Sequence, residues 1–71
     1  MNHPSIGLAD ACRYELRYNG LFNQGRGYTF PCDAAGRVDI DLLSARGRIN
    51  YFYARAVVGM ELAFPRIMIA D

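Results

Sequence analysis

Apolar and polar side chains alternate early in the chain, with Tyr14, Leu16 and Tyr18 set between Arg13, Glu15 and Arg17. A period of two suits a strand with one buried face. The pattern predicts a first strand over 12–22. Asn19-Gly20 is a hairpin-turn pair, yet Leu21-Phe22 follows it and a second turn signal spans Asn23 to Gly27. Two tight turns so close together leave no strand of useful length between them. The favoured reading is therefore a long strand bulged or kinked at Gly20, with the reversal at 23–27. Tyr28-Thr29-Phe30 predicts a second strand. Pro31 has no N–H for a ladder, so this strand lies at an edge or stops there. Asp33-Ala34-Ala35-Gly36 suits a type I turn with Gly36 at positive φ. A short third strand is expected over 37–40.

From residue 41 the period changes. Wound at about 100° per residue, Leu42, Ala45, Ile49, Phe52, Tyr53, Ala56, Val57 and Met60 gather on one face, opposite Asp41, Ser44, Arg48, Tyr51 and Arg55. This predicts an amphipathic helix over 41–59, capped by Asp39 or Asp41. Gly47 marks either close approach of another backbone or a weak spot costing about 1 kcal/mol relative to alanine. Gly59 is a candidate stop, or the helix runs one turn further to Leu62. Pro65 bars a helix beyond it. Arg66-Ile67-Met68-Ile69 then reads as a final edge strand or as an apolar tail docked on a neighbour. Residues 1–10 are weakly patterned and expected to be flexible.

These elements predict one small α+β domain over residues 1–71. It has an antiparallel sheet of two to four strands and one amphipathic helix, in the C-terminal half, packed on one face. The order is β-β-(β)-α-(β). With 71 residues the core is thin. One helix covers one side of so small a sheet, which leaves Leu21, Phe22, Phe64, Ile67, Met68 and Ile69 without an obvious home. A homodimer is expected, in which C-terminal segments or helices of two chains bury each other.

Formal net charge is +1, so bulk attraction to nucleic acid or acidic membrane is weak. All eight basic residues are arginine. That reflects either a GC-rich bacterial genome or a preference for guanidinium pairing and stacking on tyrosine. Residues 1–5 have neither a basic nor an apolar leader region, and 54–64 is too short and too charged to span a bilayer. The cytoplasm is the expected location, with both thiols reduced.

Chemistry is sparse. Cys12 and Cys32 fall on neighbouring predicted strands, where they are either a possible disulfide or two small buried hydrophobes. His3 is the only histidine. Asp33, Asp39 and Asp41 lack the spacing of a calcium loop and are explained by turns and caps. Gly25-Arg26-Gly27-Tyr28 leads into a strand, whereas a phosphate-binding glycine loop leads into a helix. No catalytic residue, cofactor or metal site is therefore expected, and the chain is read as non-enzymatic. Arg46 sits in the apolar sector of the helix. It snorkels, pairs with Asp33 or Asp39, or faces a second protomer together with Ile67, Met68 and Ile69. Arg48, Tyr51 and Arg55 form a stripe that, with Arg26 and with Arg13 or Arg17, suits either a protein hot spot or nucleic acid. A protein-interaction or regulatory module is the first reading; a nucleic-acid-binding module is the second.

The runs L-F-N-Q-G-R-G-Y-T-F-P-C-D-A-A-G-R-V-D-I-D (21–41) and N-Y-F-Y-A-R-A-V-V-G (50–59) resemble a group of short proteobacterial proteins. The resemblance covers about two-thirds of the chain. It implies a bacterial cytoplasmic origin and carries no activity, substrate or site residue.

Overall fold

The computed structural model describes residues 13–23 and 25–70. Strands β1 (Tyr14–Asn19), β2 (Gly27–Cys32) and β3 (Arg66–Ile69) form an antiparallel sheet in the order β2-β1-β3. One helix, α1 (Ala45–Ala56), lies between β2 and β3 in sequence. The molecule is the expected α+β fold, in the order β-β-α-β.

The alternation in β1 sets the sheet. Tyr14, Leu16 and Tyr18 stand opposite Cys32, Phe30 and Tyr28 of β2, and these side chains share one face. Ile69 and Ile67 of β3 lie opposite Tyr14 and Leu16 and so point to that same face. α1 packs on it above β2, where the Tyr51 and Phe30 rings meet edge-on at 5.2 Å. Leu16, Tyr18, Phe30, Cys32, Tyr51, Ala54, Val57 and Leu62 make the core. As Pro31 implied, β2 is an edge strand.

Four expectations are corrected. The first strand is shorter than 12–22: it ends at Asn19, and Gly20 bridges to Leu62 instead of continuing toward β2. The reversal does fall late in the loop, where the Arg26 N–H donates to the Asn23 carbonyl at 3.0 Å. A Cβ on Gly20 would lie 2.1 Å from that same carbonyl oxygen, so no larger residue fits the loop as built.

The third strand is not at 37–40. The Asp33 carboxylate accepts from the backbone N–H groups of Ala35 (2.9 Å) and Arg37 (2.8 Å), and Gly36 sits at φ 85°. This turn is self-contained, so the segment leaves it as a loop, and the third strand comes from 66–69. There the ladder carries one extra residue. Arg17 faces Arg66, yet two residues on the Asn19 carbonyl accepts from the Ala63 N–H, so three steps on one chain oppose two on the other. Phe64 and Pro65 occupy that bulge.

The helix begins four residues later than residue 41. Asp39 does cap, but it caps a single 3-10 turn at Ile40–Leu42. Leu43 is extended, and Ser44 restarts the helix, its hydroxyl accepting from the Gly47 N–H at 3.0 Å. The helix proper closes at Ala56, with Gly59 at φ 86° reversing the chain just beyond it.

The fourth correction concerns the buried face of α1. Tyr51, Ala54 and Val57 face the core, whereas Ile49 (69% exposed), Phe52 (49%) and Met60 face outward. The sheet face beneath is already filled with aromatic rings. A fully buried alanine lets the helix settle onto them, with Tyr51 packed edge-on to Phe30.

Candidate functional site

The outward face of α1 follows directly from that packing. Ala45, Ile49, Phe52 and Ala56 are spaced four, three and four residues apart, the spacing of a seam between helices, and all are exposed. Arg46 flanks the seam on one side; Arg48 and Arg55 flank it on the other. Each is exposed, and among the described residues none forms a salt bridge. Arg48 donates Nε–H to the Ile40 carbonyl at 3.1 Å, and the Arg55 guanidinium lies 5.5 Å from the centre of the Tyr51 ring. No carboxylate occurs between Asp41 and Glu61. The surface is thus an apolar strip edged by uncompensated positive charge.

This differs from the expected stripe of Arg48, Tyr51 and Arg55. Tyr51 is buried, so its ring is not offered to a ligand. Phe52, one residue on, takes the exposed aromatic position between the two arginines. Arg26 is held elsewhere: its Nη2 donates to the Tyr53 hydroxyl and contacts Glu61 Oε1, both at 3.1 Å. The Tyr53 hydroxyl donates to the same carboxylate oxygen at 2.7 Å, which pushes the phenol above its usual range. The cluster ties the β1–β2 loop to α1 and to the chain beyond it. Arg17 pairs with Glu15 at 2.7 Å on the far face of the sheet. Arg17 and Arg26 therefore do not extend the arginine rim of α1.

Arg46 is exposed and does not lie in the core-facing sector of α1. Asp33 and Asp39, its expected partners, are engaged with Arg37 and with the Asp41 N–H. Ile67, Met68 and Ile69 are brought together as β3, remote in the sheet order from the strand under α1.

A shallow cavity of about 200 Å³ is lined by Pro31, Cys32, Asp33, Arg37, Val38, Asp39 and Leu42. Cys32 is a buried free thiol at its edge, pushed above the usual thiol range by burial and then by Asp33 and Glu15. That favours the unreactive thiol over the thiolate. Asp33 is held below the usual carboxylate range, chiefly by the Arg37 N–H, and also bonds the Arg37 side chain and the Ala35 N–H. A carboxylate so occupied is a poor base. Cys12 and His3, and with Cys12 the disulfide expectation, lie outside the described residues.

Among the described residues, no group of three or more His, Cys, Asp or Glu is arranged to hold a metal ion, and no helix is long and apolar enough to cross a membrane. The residues that make the exposed strip were read from the sequence as core. The available signal was Ala54, a small residue at helical spacing from Tyr51 and Val57, beside strands rich in aromatic rings. In comparisons with known proteins the chain matches no family model, no curated protein and no solved structure, so the resemblance over 21–59 carries no argument.

Proposed function

We propose that this protein works by binding: it is a small, non-enzymatic protein-interaction or regulatory module that acts in the cytoplasm as a homodimer. The observation that carries the reading is the outward strip of α1. Ile49 and Phe52 stand in water while Ala54 fills the core beneath them. Exposed apolar seams rimmed by polar groups are typical of interaction sites. The unpaired Arg46, Arg48 and Arg55 suit a partner segment that is amphipathic and acidic, since complementary charge sets specificity and on-rate. They also disfavour pairing α1 with its own copy, which would bring arginine to arginine with no carboxylate between.

The test uses two synthetic helical peptides with leucines at three-four spacing, one flanked by glutamates and one by lysines. The glutamate peptide is expected to bind at least about tenfold tighter, a difference of ~1.4 kcal/mol. Ile49→Glu is expected to abolish that binding without loss of helical circular dichroism. Equal binding of both peptides, or of neither, would sink the reading.

A second reading, nucleic-acid binding, keeps one observation in its favour: Phe52 stands exposed between Arg48 and Arg55, an arrangement able to stack on a base and contact phosphates. Binding of a mixed-sequence oligonucleotide that falls steeply with salt and is lost in Phe52→Ala supports it. Failure of both effects removes it.

A further inference from the structure

We infer that the free edge of β3 pairs antiparallel with the same edge of a second copy of this chain, about a two-fold axis at Met68. This rests on the interaction-module reading above and names the surface through which the homodimer forms.

The directions of the backbone groups carry the argument. The Ala70 N–H donates to the Arg13 carbonyl at 2.7 Å. In an antiparallel pair, bonded and non-bonded residue pairs alternate. Given the register of β1 on β3, Met68 therefore exchanges bonds with Glu15, and Arg66 with Arg17. Ile67 and Ile69 consequently aim their N–H and C=O groups away from β1, toward the open edge. Their side chains point to the helix-bearing face, which α1 covers chiefly over β2; Ile67 lies beside the Gly36 turn, and the two remain 45% and 72% exposed. Edge strands with free backbone groups and apolar side chains recruit another strand unless something blunts them.

The other edge is blunted. Because Arg13, Glu15 and Arg17 direct their backbone groups toward β3, those of Tyr14, Leu16 and Tyr18 face β2. By the same alternation Gly27, Thr29 and Pro31 face outward on β2. Pro31 has no N–H to offer there. On β3 the proline and the bulge lie before the strand, at Phe64 and Pro65, and the one charge, Arg66, is on the face away from the isoleucines, so the N–H groups of Ile67 and Ile69 are not removed.

The β3 edge is also complementary to itself. With Met68 opposite its own copy, Ile67 stands opposite Ile69 of the second chain. Each such pair exchanges two backbone bonds, so the outward N–H and C=O groups of both strands are all satisfied. The four isoleucines form one apolar patch on the helix-bearing face, and the two Met68 side chains meet on the other face. Arg66 falls opposite Ala70, so like charges are not brought face to face. The result is a continuous sheet in the order β2-β1-β3-β3-β1-β2 with a helix at each end, and the arginine-edged strips of both helices stay open.

Sedimentation velocity of the full chain, combined with residue-resolved amide exchange over a range of concentrations, tests this. The expected result is a mass twice the 8.0 kDa of one chain, with the Ile67 and Ile69 amides growing slower to exchange as concentration rises. Ile69→Lys, which places a charge in the isoleucine patch, is expected to weaken the dimer by at least about tenfold. The amide readout needs no variant and stands even if that one fails to fold. A dimer whose Ile67 and Ile69 amides exchange freely, or one that survives Ile69→Lys, would overturn this edge while leaving the homodimer standing. A monomer at every concentration would overturn both. Slowing of those amides only on addition of an unrelated extended peptide would mean that the edge serves foreign strands, and would overturn self-pairing.

Discussion

The two faces of α1 have the same helical period and opposite fates. The inner face carries Gly47, Tyr51, Ala54 and Val57; the outer carries Ala45, Ile49, Phe52 and Ala56. By hydrophobicity the outer set has an equal or better claim to the core. It loses because the sheet beneath is tiled with Tyr18, Tyr28 and Phe30, whose rings pack on one another at 5.9 and 6.2 Å. A helix settles on such a surface through a small residue such as Ala54. Fit to a filled surface decides which stripe is core, and the stripe left over stays in water.

The sharpest way to break this comparison is to truncate one aromatic on each face. Tyr51→Ala is expected to cost about 3–5 kcal/mol, as removal of a buried large aromatic side chain does, whereas Phe52→Ala should stay within about 0.5 kcal/mol. A domain of this size has only about 3–5 kcal/mol to lose, so Tyr51→Ala should be largely unfolded in buffer. Urea titration followed by circular dichroism measures both. A larger loss for Phe52→Ala would mean that α1 packs by its other face.

Next in size is overfilling. Ala54→Leu puts three extra carbons where the parent residue is fully buried and should cost about 1–3 kcal/mol. Ala56→Leu, on the outer strip, should be near neutral and should strengthen binding of the acidic peptide. Equal unfolding midpoints for the two variants would contradict the packing described.

The helix start distinguishes two caps. Ser44→Ala is expected to cost about 1 kcal/mol, because Ser44 satisfies a first-turn amide of α1. Asp39→Ala should cost less, since Asp39 supports only the preceding 3-10 turn. Thermal midpoints of the two variants rank them.

The smallest effect is acid sensitivity. Asp33 is held below its unfolded value of 3.8 by the Arg37 and Ala35 groups around it. Its contribution is therefore present above that value and fades as pH falls through the lower folded one. The carboxylate is half-buried and its Arg37 partner is exposed, so solvent screens the pair and the fade should be slight. Asp33→Asn should flatten the decline of the thermal midpoint between about pH 5 and pH 2; an unchanged slope would show that the turn draws nothing from the charge.

Much of this fold was legible in local pattern. The period of two through Tyr14, Leu16 and Tyr18 marked β1 and its buried face. Pro31 announced an edge, Asp33 and Gly36 a turn with a positive-φ residue, and Gly59 a helix stop. Each of these depends on a residue's own backbone preference or on its immediate neighbours. Arg37 to Ile40 misled for the opposite reason. Its composition suits a strand, but Asp33 captures Arg37 within the turn, and β1 already has a partner on each side.

The candidate site was the least legible part. Arg26 looked like an exposed contact residue and is bound to Tyr53 and Glu61, which lie 27 and 35 residues away in sequence. Tyr51 and Phe52 are adjacent and both aromatic, so no local rule separates the one that anchors the core from the one that meets water.

The sequence alone determined the class of fold, the direction of the strands, the place of the helix and the lack of any familiar catalytic pattern, because periodicity, turn chemistry and composition act over a few residues. Tertiary structure alone decided which stripe of α1 is buried, which edge of the sheet stays open and which arginines remain unpaired. Those outcomes depend on shapes and partners brought together from distant parts of the chain, and a helix that is apolar on two sides can be oriented only by the surface it meets.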